Sequence, residues 1–131
     1  MIKRKHIDKD SRDTFLITSI HSSNVADRVI GIIPVKSELV SVREVHSTAA
    51  STTSVLTIER LQGTEAVGSG DSVVDGTIDL EGTANTVQTG TIVTASDIHV
   101  FEAGNRVGVD VGTTTALANM VVSCYFRPID S

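Results

Sequence analysis

The chain has 131 residues and a formal charge of −5, a length that fits one domain and leaves no room for a second core. Thr, Ser, Val and Ile make up 60 of those 131 residues, a β-branched, hydroxyl-rich blend that suits strands and turns and excludes a helical bundle. Only Phe15, Phe101, Tyr125 and Phe126 are aromatic, too few to build stacking platforms for sugars or unpaired bases.

Residues 1–13 carry Lys3, Arg4, Lys5, Lys9 and Arg12 against Asp8, Asp10 and Asp13, a net of +2, so the remainder carries −7. An acidic body repels nucleic acid and anionic lipid. The expected organisation is a basic N-terminal arm over 1–13, flexible or in contact with a partner, followed by a single domain over 14–131. The opening MIKRKHIDKD lacks an apolar segment behind its basic residues, so no secretory signal is expected. The longest apolar stretch, 29–35, is broken by Gly31 and Pro34 and is too short to span a membrane. The lone Cys124 forms no intrachain disulfide, in keeping with a reducing site of synthesis.

Past the arm, Thr14 to Ile20 alternates Phe15 and Ile17 against Leu16, Thr18 and Ile20, the pattern of a first strand. The cluster at 21–24 marks a turn, and 28–35 resumes a β-branched run whose Pro34 belongs at an edge or strand end. From 38 to 46 the alternation slips. Val40 and Val42 share a face with Glu44 and His46, while Leu39, Arg43 and Val45 share the other, so a bulge or a change of exposure is expected. The stretch 47–54 is a loop, 55–61 a strand, and 61–72, with Gly63, Gly68 and Gly70, a long mobile loop. Short strands follow at 77–80 and 85–94, the latter broken at Gly90. The clearest signals close the chain: Val107, Val109 and Val111 alternate with Gly108 and Asp110, and Met120, Val122, Cys124 and Phe126 line one face of 118–127. Together these predict an all-β, antiparallel two-sheet sandwich of jelly-roll type with about eight strands.

The chemistry-bearing residues are sparse. His6, His21, His46 and His99 lack paired metal-ligand spacing and read as ordinary surface histidines. Asp71, Asp75, Asp79 and Glu81 miss the calcium-loop pattern and read as a solvated face. Cys124, sharing a face with Met120 and Phe126, reads as a core hydrophobe. Gly68-Ser69-Gly70 resembles part of a phosphate-binding loop, but no Lys follows and no helix comes after. No nucleophile elbow marks a hydrolase. The expectation is no enzyme, no metal, no cofactor and no small-molecule substrate.

Several phrases carry a resemblance: LVSVREVHSTA at 39–49, LTIERLQGT at 56–64, LEGTANTVQ at 80–88 and AGNRVGVDVGT at 103–113. In that order they are similar to tailed-bacteriophage capsid decoration (cement) proteins, small β-sandwich virion proteins, over about residues 30–127. The resemblance implies a homotrimeric subunit on the outer surface of the virion, bound to an HK97-type major capsid protein and stabilising the shell. The resemblance does not reach the arm and assigns no contact residue; from charge and position alone, the candidate capsid or subunit contacts are Lys3, Arg4, Lys5, Lys9 and Arg12 on the arm and Val67 in the long loop. The alternative is a head or tail appendage whose loop tips bind a host receptor or glycan.

Overall fold

The structure, a computed structural model, describes residues 14–23, 25–112 and 116–129. Six long strands supply most of the fold: β1 (Phe15–His21), β2 (Arg28–Ile32), β3 (Ser37–Thr48), β4 (Val55–Leu61), β11 (Arg106–Val111) and β12 (Ala118–Pro128). Between β4 and β11 run six two-residue strands: β5 (Asp71–Ser72), β6 (Val74–Asp75), β7 (Ile78–Asp79), β8 (Gln88–Thr89), β9 (Thr91–Ile92) and β10 (Val100–Phe101). One sheet has the order β1-β12-β3-β10, with β8 also on β3, and the other β2-β11-β4-β5, with β7 also on β4. Strands β6 and β9 pair separately, and all the pairings are antiparallel.

The ten segments of the two larger sheets occupy eight main positions, because β5 and β7 share one partner edge and β8 and β10 share another. Numbered that way, the sheets read 1-8-3-6 and 2-7-4-5, the two interlocked Greek keys of a jelly roll. The fold is the expected antiparallel sandwich, with one expected strand resolved into two short ones around Gly90, whose N–H bonds to the Val42 carbonyl at 2.9 Å.

Alternation decides which side chains meet between the sheets. Met120, Val122, Cys124 and Phe126 of β12 and Leu39 and Val42 of β3 face Leu56, Ile58, Val107 and Val109 of the other sheet. Phe126 lies between Phe15, stacked at 5.3 Å between ring centroids, and Phe101, edge-on at 5.1 Å. The bulge expected in β3 is present at Val40. Tyr125 pairs with Ser41 and Phe126 with Leu39, so Val40 is the extra residue that lets both Leu39 and Val42 point inward.

Two of the histidines read as surface groups are buried instead. His21 and His46 occupy inward positions of β1 and β3, at the ends of the same apolar faces.

Candidate functional site

The outer faces of the two sheets differ. On the β2-β11-β4 sheet, Glu59 and Leu61 point outward yet are buried, because the 62–70 loop folds back over them. The Glu59 Oε1 atom accepts the N–H groups of Gly68 and Gly70 at 2.9 and 3.1 Å. Arg106 holds the loop's near end through the carbonyls of Gly63 and Glu65, at 3.0 and 2.8 Å. The loop that composition marks as mobile is thus fastened at both ends. The amides that a phosphate would need are taken, those of Gly68 and Gly70 by Glu59 and that of Ser69 by the Ala66 carbonyl at 2.9 Å. Val67 is half-buried over this sheet, close to the position that a Cβ on Gly108 would occupy.

The outer face of the β1-β12-β3 sheet has no such cover among the described residues. Leu16 and Ile20 of β1 are 55% and 71% exposed, and Val87, just before β8, is 60% exposed. With Val121 and Tyr125 of β12 and Val45 of β3 they belong to one apolar outer surface. An open groove of about 560 Å³ crosses it from Leu16 to Val87, with Ser41, Arg43, Glu44 and Ser123 as its polar lining residues. A mostly apolar face left uncovered among the described residues is a candidate contact surface.

The wall of this groove that carries Val87 is tied down from beneath. His46 Nδ1 lies 2.7 Å from Glu44 Oε2 and its Nε2 lies 2.8 Å from the Gly82 carbonyl. Gln88 donates to Glu44 Oε1 at 2.9 Å and to the Asp79 carbonyl at 2.6 Å, and Asn85 N–H donates to the His46 carbonyl at 2.7 Å. Both imidazole nitrogens face acceptors, so the buried His46–Glu44 pair holds a proton shared between them. Burial pulls the imidazole down, but the Gly82 carbonyl and Glu44 outweigh it and hold His46 above its usual range. The pair, two residues apart on an otherwise apolar strand face, is a signal the sequence carried and spacing rules for metals passed over.

The remaining candidates fall apart in space. Asp75, Asp79 and Glu81 are exposed, and Asp71 pairs with Arg60 at 2.9 Å. No group of three or more His, Cys, Asp or Glu side chains among the described residues is placed to hold a metal. Cys124 is buried and burial pushes its thiol up to about 12, far from a reactive thiolate. Lys3, Arg4, Lys5, Lys9 and Arg12 lie outside the described residues. No helix among the described residues is long and apolar enough to cross a membrane.

No protein-family model matches the chain, and no curated protein does. Among solved structures, a chain of the capsid of Ralstonia phage GP4 superposes with a TM-score of 0.62, covering 98% of this chain and 93% of that one at 14% identity. This chain has the fold of a capsid chain. The likeness spans the jelly roll end to end, and at 14% identity it is a likeness of fold.

Proposed function

We propose that the protein is a virion structural component, a decoration or cement subunit on the outside of a phage capsid built from an HK97-type shell protein. The observation that carries this reading is the fold shared with a phage capsid chain over nearly the whole length. The bare apolar groove on the β1-β12-β3 sheet supports it, because a cementing subunit needs a preformed contact face and no catalytic machinery. Affinity for the assembled shell over its precursor stabilises the assembled state by mass action. Copies gathered about a three-fold or quasi-three-fold site, as the sequence resemblance implies, multiply modest contacts into avidity.

The test is co-sedimentation of the purified chain with undecorated shells of the same phage. The wild-type chain pellets with the shells. Val87→Glu places a charge on the groove wall at an exposed position; it leaves the fold intact and weakens pelleting by at least about tenfold, the scale of one lost anchor at an interface. A wild-type chain that stays in the supernatant contradicts the proposal.

A further inference from the structure

Each sheet of an open sandwich ends in edge strands whose outward N–H and C=O groups lack a strand partner, and proteins normally guard them. Three of the four edges here are guarded. The far edge of the β3 sheet is β10 and β8, two residues each. In the other sheet, β5 and β7 are two residues each and carry Asp71 and Asp79. Strand β2 carries Arg28 and meets β11 through a register break between Val107 and Gly108.

Strand β1 has none of these devices. Its seven residues, FLITSIH, contain no Pro, Gly, Lys, Arg, Asp or Glu, and its register on β12 runs unbroken from Phe15 to His21. Among the described residues nothing pairs with its outer edge.

The Gly90 N–H to Val42 carbonyl and Asn85 N–H to His46 carbonyl bonds, 2.9 and 2.7 Å, turn the backbone groups of Val42 and His46 away from β12, so Cys124 and Met120 opposite them turn theirs to β1. In an antiparallel ladder, residues that bond to the neighbouring strand recur at every second position. Phe15, Ile17, Ser19 and His21 therefore bond to β12, and Leu16, Thr18 and Ile20 turn their backbone groups to the open edge. Those three positions are symmetric about Thr18. A second copy of β1 laid antiparallel and centred on Thr18 sets Leu16 against Ile20 and Thr18 against Thr18, each pair exchanging two hydrogen bonds. The non-bonded positions then set Phe15 against His21 and Ile17 against Ser19 on the inner face. Leu16 and Ile20, both more than half exposed in the single chain, become cross-strand apolar partners.

We infer that two copies of this chain pair edge to edge through β1 about a two-fold axis at Thr18, joining their β1-β12-β3 sheets into one continuous sheet. Such a contact is isologous and closed. It is compatible with a three-fold ring built on another face, in which case two rings join. It also stands apart from the shell-binding proposal, because it is read on the free protein in the absence of particles.

The experiment is sedimentation equilibrium of the full chain with Thr18→Lys and Thr18→Glu variants. Thr18 is exposed in the single chain, so both variants keep the wild-type circular dichroism, while like charges meet directly opposite at the axis. The wild-type mass is expected to be an even multiple of the 13.8 kDa chain. Each variant halves it, and an equimolar mixture of the two restores it. A wild-type mass of one chain or an odd multiple overturns the inference, as do a Thr18→Lys mass equal to wild type and a mixture that stays at the halved mass.

Discussion

His46 and Glu44 form the most consequential pair of side chains in the molecule. Both are buried, and their shared proton lets the imidazole bond Glu44 and the Gly82 carbonyl at once, while Gln88 holds the other Glu44 oxygen. Because the folded state holds His46 above its unfolded value near 6.5, its stabilising contribution is complete below that pH and is lost as pH rises through the folded value. Asp79, which also faces the imidazole, pushes in the same direction. His21 works the opposite way: burial first and Arg28 second hold it below 6.5, and its Nδ1 has no partner among the described residues, so stability falls as pH drops below 6.5 toward the folded value. Urea melts of the wild-type chain between pH 6 and pH 9 should therefore show an alkaline loss of stability that His46→Gln abolishes. Glu44→Ala, which strands a buried imidazole, should cost about 3 to 5 kcal/mol; a cost near zero would mean that the pair is not formed. At Cys124, a thiol reagent should label the native protein only as fast as the core opens.

At the level of elements, alternation was enough to place the long strands. Val55–Leu61 stands where the β-branched run predicts it, and the phase slip between Leu39 and Val42 marked the bulge at Val40. What could not be read was what covers each face. Glu59 and Leu61 sit at outward positions, where alternation alone leaves them wet, and the acceptor for the Gly68 and Gly70 amides lies nine and eleven residues upstream. Glycine-rich composition signals conformational freedom and is silent on such long-range ties. The groove had a signal, since Leu16 and Ile20 put apolar groups on both faces of a first strand, but a sequence cannot say whether a loop covers them. Two substitutions test the loop's attachment. Glu59→Ala should cost about 1 to 3 kcal/mol, by orphaning two amides, and should strip hydrogen-exchange protection from Gly68 and Gly70 while β12 keeps its own. Gly70→Ala would bring a Cβ to 2.6 Å from the Arg60 carbonyl oxygen, so the loop must lift; a loss of about 1 to 3 kcal/mol is expected.

For the whole molecule, the two outer faces divide the work. One sheet is roofed by the chain's own loop, and the other presents an apolar groove, a wall held by a buried titrating pair and an unguarded edge. On the proposed function, binding at the groove should weaken at alkaline pH in the wild-type chain, where the imidazole proton that joins His46 to Glu44 and Gly82 is lost. The proposed virion-surface role would use this asymmetry: a rigid sandwich to bear load, and the uncovered face to make the contacts. The most direct test of the proposed function is a cryo-electron microscopy map of virions of a phage encoding this chain. The expected map has a jelly roll on the outside of the shell, seated with the Leu16–Val87 groove toward a neighbour. A shell bare of this density, with the chain found in the tail or absent from the particle, would contradict it.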